Sequence, residues 1–91
     1  MEMKTFDIAA NLESREDIRA FLEEVAATGT EADFIHALGT AAKAKGMTRI
    51  ANQVGVTRAS LYKSLAEDGN PSFATINKVV KALGCQLSVV A

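Results

Sequence analysis

The sequence predicts a single, mainly helical domain: five helices closed by one short C-terminal β-strand. Three observations predict it. Apolar residues recur at helical spacing in segment after segment; most of these segments open on a capping residue and stop at a glycine; and only the last six residues carry a strand-like composition. The chain has 91 residues with one proline, 48% hydrophobic and 23% charged. That length fits one folded unit, since domains typically run to about 100–150 residues. No apolar run approaches the roughly 18 residues that suggest a membrane span. The opening Met1–Asp7 lacks the apolar core of a secretory signal, so the expected location is the cytoplasm.

The first helix opens at Ser14, with Asp17 three residues on in a loose capping box. Ile18, Phe21, Leu22 and Val25 follow as one apolar stripe, and Gly29 ends it. Thr30 and Asp33 repeat the device for the second helix. Its stripe is Phe34, Leu38 and Ala41 with Ile35 and Ala42 beside them, stopped by Gly46. Two short helices follow, with Ile50, Ala51 and Val54 on one and Leu61 and Leu65 on the other. The last helix starts at Ser72, directly after the only proline, and is expected to bury Phe73, Ile76, Val79, Val80 and Leu83 before Gly84 stops it. Gln86–Ala91 reads as the strand, with residues 85–91 as the terminal segment.

The two short helices carry the strongest functional signal. Helices crossing through a three- to four-residue turn need a small residue where the backbones come closest, a residue tolerant of positive φ in the turn, and an apolar plug from the second helix. Ala51, Gly55 and Leu61 meet those needs in order, which is the spacing of a helix-turn-helix whose second helix enters the DNA major groove. Charge fits it, and equally fits a solvated surface of uneven sign. Residues 1–42 hold three basic and nine acidic side chains, a balance of −6, whereas residues 43–91 hold seven basic and two acidic, a balance of +5. The chain then divides into an acidic segment and helix (1–29), a helix-turn-helix core (30–84) and the strand (85–91), the core being the half suited to phosphate.

On the second short helix, Thr57 is the expected N-cap and Arg58 the expected base reader, because its planar fork matches guanine O6 and N7. With Leu61 and Leu65 facing inward, Ala59, Tyr62 and Lys63 fall on outward or flanking faces beside Ser60. Ala59 suits a thymine methyl, Tyr62 and Lys63 bases or phosphates. Tyr62 reads equally as a half-buried ring with a wet hydroxyl. Phosphate contacts are expected to flank this helix, from Thr48 and Arg49 before it and from Asn70 and Ser72 after it.

Four segments, Gly46–Ala51, Gly55–Lys63, Asp68–Phe73 and Lys81–Gly84, resemble the addiction-module antidote proteins, HigA-like antitoxins with a lambda-repressor-like (Cro/C1-type) helix-turn-helix. The resemblance implies an antitoxin that binds its own operator, double-stranded DNA, as a homodimer and represses its own transcription. It also implies that the chain neutralises a RelE-like ribonuclease toxin encoded beside it. The acidic N-terminal region is consistent with such a partner, which must carry positive charge to hold RNA, and Glu16, Glu23 and Glu24 are the expected contacts.

A lone terminal strand leaves its amides unpaired, so its partner is Met3–Phe6 of the same chain or the same strand of a second protomer. The chemistry of an enzyme is not expected. His36 is the one histidine, three residues from Asp33 on a helix, with no nucleophile motif, metal-ligand spacing or phosphate-cradling loop near it. No cofactor is expected, and the single cysteine, Cys85, reads as a small buried residue. Two other readings fit the same residues: a stand-alone Cro/C1-type regulator, and a helical protein-interaction module that touches no DNA.

Overall fold

A computed structural model describes residues 14–66 and 69–87 of the chain. Five helices are present among the described residues: α1 (Arg15–Thr28), α2 (Glu31–Lys45), α3 (Met47–Val54), α4 (Arg58–Ser64) and α5 (Phe73–Ala82). The first two begin as their sequences dictate. The Ser14 hydroxyl accepts from the Asp17 amide at 3.1 Å while the Asp17 carboxylate accepts from the Ser14 amide at 3.2 Å. Thr30 and Asp33 exchange the same pair of bonds at 3.1 and 2.9 Å, so each box satisfies two amides that no helical carbonyl can reach. Only Gly29 and Thr30 separate α1 from α2, and Gly46 alone separates α2 from α3.

The helices pack in a chain of contacts rather than a parallel bundle. α1 lies on α2, α2 also carries α3 and α5, and α3 packs against both α4 and α5. Their inward faces meet in one core of which Ile18, Leu38, Ile50, Leu61, Val79 and Leu83 are the largest fully buried side chains. Every one of these stands at a position the helical period assigns to the interior. α3 has the tightest demand: in its eight residues Met47, Ile50, Ala51 and Val54 are all buried, leaving Thr48, Arg49, Asn52 and Gln53 outside.

Two expectations are corrected. Phe73 is 70% exposed instead of buried. It is the first residue of α5, and because helical side chains tilt toward the N-terminus, its ring projects past the end of the helix and off the core that Ile76, Val79, Val80 and Leu83 face. The terminal strand is absent where the chain can be described: Cys85–Leu87 has no strand and pairs with none of the described residues as one. The remainder of that expected strand, residues 88–91, lies outside the described residues, as does the proposed partner Met3–Phe6.

Candidate nucleic-acid interface

The pair α3 and α4 is joined by Gly55, Val56 and Thr57. Gly55 has φ 91° and ψ 27°, left-handed backbone that a β-carbon disfavours, and its amide closes α3 by donating to the Ala51 carbonyl at 2.9 Å. Ala51 of α3 and Leu61 of α4 are each 1% exposed, and the two helices pack against each other. A larger residue at 51 would have little room, so Ala51 and Leu61 are buried and Gly55 takes the left-handed turn. α4 then starts at Thr57, whose hydroxyl accepts from the Ser60 amide at 3.0 Å. With Leu61 and the C-cap Leu65 buried, Arg58, Ala59, Ser60, Tyr62 and Lys63 are turned outward.

All ten residues singled out by sequence, Thr48, Arg49, Thr57, Arg58, Ala59, Ser60, Tyr62, Lys63, Asn70 and Ser72, are exposed. Between Met47 and Leu65 the chain holds three cations, Arg49, Arg58 and Lys63, and no carboxylate. None of the three makes an ion pair among the described residues. The ion pairs there sit on α1, where Arg19 is gripped by Glu16 and, at 3.0 Å, by Glu23. Among the described residues, the positive charge of Arg49, Arg58 and Lys63 is therefore unpaired, while much of the charge on α1 is internally matched.

The fold sorts the ten by role. Ser60 and Lys63 of α4 share a shallow cleft of about 380 Å³ with Ser64, Gly69 and Asn70, so the loop after α4 is brought to the same surface as the helix. Thr57 and Ser72 are committed to capping: the Ser72 hydroxyl accepts from the Thr75 amide and donates to the Thr75 hydroxyl, both at 3.2 Å. No side chain caps α3, so the first-turn amides beside Thr48 and Arg49 are left for solvent or a ligand. Tyr62 stands apart from this cleft. Its half-exposed ring lines a recess of about 240 Å³ between α4 and α2, together with His36, Thr40 and Lys43. Sequence reasoning missed Lys43 as a neighbour of this surface. The only signal was its place two turns after His36 on one face of α2, and only packing shows that this face meets α4.

Away from that surface, the Asp33 carboxylate accepts from the Thr30 amide, and no hydrogen bond joins it to His36 among the described residues. A larger groove of about 480 Å³ runs between α1 and the end of α5, floored by Leu22, Phe34 and Val80 and edged by Arg19, Cys85 and Leu87. Partial burial there pushes the Cys85 thiol above its ordinary pKa, against a smaller opposing pull from Arg15 and Arg19. No helix among the described residues is long and apolar enough to cross a membrane.

A comparison with known proteins agrees with the residue pattern. A protein of Haemophilus influenzae whose own description is "uncharacterized protein" is 42% identical over 88 residues, covering 97% of this chain and 91% of the relative. No solved structure matches the chain. The model of the family described as "probable addiction module antidote protein" matches residues 2–91, nearly the whole length, and the chain belongs to that family.

Proposed function

We propose that the chain is the antitoxin of a type II toxin–antitoxin module, a cytoplasmic, non-catalytic protein with two binding activities. One is autorepression: a Cro/C1-type helix-turn-helix formed by α3 and α4 binds operator DNA. The other is neutralisation of a RelE-like ribonuclease toxin. An antidote needs a toxin, and that part of the reading rests on the family. The observation that carries the DNA part is the run from Met47 to Leu65, in which Arg49, Arg58 and Lys63 are exposed, unpaired among the described residues and accompanied by no carboxylate.

In this reading α4 lies in the major groove with Arg58 on a guanine edge, a pairing worth about 1–3 kcal/mol of discrimination. The α3 N-terminus with Arg49 and Thr48, and the cleft holding Lys63 and Asn70, grip the two flanking strands. A seven-residue helix reads few base pairs. A homodimer presents two such helices about 34–36 Å apart, one turn of duplex, and doubles the site.

The test is fluorescence anisotropy with the duplex that precedes the gene, at a series of salt concentrations. Affinity falls steeply and linearly on a log–log plot, with a slope near −0.9 for each phosphate engaged. Arg58→Ala lowers affinity for that duplex while affinity for unrelated duplex changes little. A protein that binds no duplex at low salt is an interaction module instead. One that binds duplex but does not associate with the product of an adjoining gene is a stand-alone regulator.

A further inference from the structure

The recess between α2 and α4 is lined by donors. His36 and Lys43 stand two turns apart on one face of α2, and Tyr62 of α4 faces them across the gap. Thr40, between them, spends its hydroxyl proton on the His36 carbonyl at 3.3 Å. The His36 ring, the Lys43 ammonium and the Tyr62 hydroxyl have no hydrogen-bond or ion-pair partner among the described residues. Among the described residues no carboxylate lines the recess; Met47 and Leu65 give it an apolar floor, and Ala66 completes its lining.

Size limits the ligand. At about 240 Å³ the recess falls below the roughly 300–1,000 Å³ of pockets that hold drug-sized ligands, so it suits one small group rather than a cofactor. Donor chemistry limits it further. A lysine ammonium and a phenol hydroxyl lining one recess, with no carboxylate among the described lining residues, suit an anion with several acceptor oxygens.

Position identifies the source of that anion. Met47, which floors the recess, begins α3 and is followed directly by Thr48 and Arg49, and Tyr62 lies on α4 next to Lys63. The close approach that forms the recess is set by Gly39, where a side-chain carbon would already lie 3.4 Å from the Leu65 carbonyl oxygen. A strand held at the start of α3 while α4 occupies the groove passes this opening. We propose that the recess is a phosphodiester site of the bound duplex, with Lys43 and Tyr62 as its principal donors and His36 as a third. This extends the interface to α2, outside the two helices that read DNA, and it rests on the DNA-binding reading above.

The test uses the full chain, the same duplex and the same salt series. Lys43→Ala weakens binding about tenfold, as expected for loss of a hydrogen bond to a charged group. It also reduces the salt slope by about one, because one fewer counterion is released. Tyr62→Phe keeps the ring and removes the donor; it weakens binding several-fold with the salt slope unchanged. Lys78→Ala, an exposed cation of α5 outside the recess, changes neither. Thermal melting confirms that the variants stay folded. Wild-type affinity in both Lys43→Ala and Tyr62→Phe overturns the site, as does an equal loss in Lys78→Ala, which would mean overall charge rather than a located contact. If either result comes with a loss in Arg58→Ala, the DNA reading survives without the recess. If the wild-type chain binds no duplex, both fall.

Discussion

Gly69 is packed onto the last turn of α4 so closely that a side-chain carbon there would lie 2.7 Å from the Lys63 carbonyl oxygen, with the Ser64 carbonyl nearer still. Its amide donates to the Ala66 carbonyl at 2.8 Å, which folds the chain back along α4 and sets Asn70 beside Ser60 and Lys63. Glycine is needed at this position for space, since the obstructing atoms are backbone and have little room to yield.

Gly69→Ala is therefore expected to destabilise the fold by about 1–3 kcal/mol, the usual cost of overpacking. For a domain of this size that lowers Tm by roughly 4–8 °C per kcal/mol. Gly55 provides the contrast, because an added carbon there meets nothing within 4 Å and only its φ of 91° resists substitution. Gly55→Asn should melt close to wild type, and Gly55→Val well below it, since asparagine tolerates left-handed backbone and a β-branched residue does not. Thermal denaturation followed by circular dichroism ranks all three.

Thr57 separates stability from recognition. Thr57→Ala removes the acceptor for the Ser60 amide and should cost about 0.5–2 kcal/mol in denaturant unfolding. Thr57→Asp restores a good cap at nearly wild-type stability but places a carboxylate at the end of α4 that the proposed DNA-binding mode turns toward the duplex. Its DNA affinity should drop well below that of Thr57→Ala. Equal affinity in the two variants would mean that this end of α4 does not approach phosphate.

What the sequence made legible was local. The capping boxes at Ser14 and Thr30 close within three residues, and Ala51, Gly55 and Leu61 act inside one helical pair, so spacing alone suffices for them. What it hid depends on how helices end and meet. Phe73 matches the apolar period of α5, yet it sits where the helix overruns its support, a fact that no periodicity contains. The recess joins His36 and Lys43 to Tyr62, and the α1 groove joins Leu22 to Val80 and Leu87, pairings between distant parts of the chain that only packing creates. β-branched composition predicts the terminal strand, but a strand needs a partner, and Cys85–Leu87 pairs with none among the described residues.

Cys85 gives a pH-dependent prediction. Burial raises its pKa in the folded chain, so the folded state holds the thiol proton more firmly than the unfolded state does. The associated stability is present below the ordinary thiol pKa of about 8.5 and is lost as pH rises through the raised folded value. Alkylation by iodoacetamide near neutral pH should be slower for the native protein than for the same chain in urea. Arg19→Ala should slow it again, because it removes a cation that favours the thiolate and frees Glu16 and Glu23 to oppose it. Faster alkylation in that variant would contradict the electrostatics of this groove.

The carboxylates on α1 are not equivalent, and that inequality tests the proposed contact with the toxin. Arg19 already offsets Glu16 and Glu23, whereas Glu24 lies on the same helix, exposed, with no ion pair among the described residues. If a cationic toxin is steered to this helix, Glu24→Gln should slow its association several-fold at low ionic strength, and Glu16→Gln less. The difference should shrink as salt is raised and the Debye length falls to a few ångströms. Stopped-flow association with the toxin measures it. Steering reaches the rate of encounter, whereas docking geometry governs dissociation, so an effect confined to the dissociation rate would place Glu24 in a packed contact instead. No effect on either rate would remove α1 from the toxin interface.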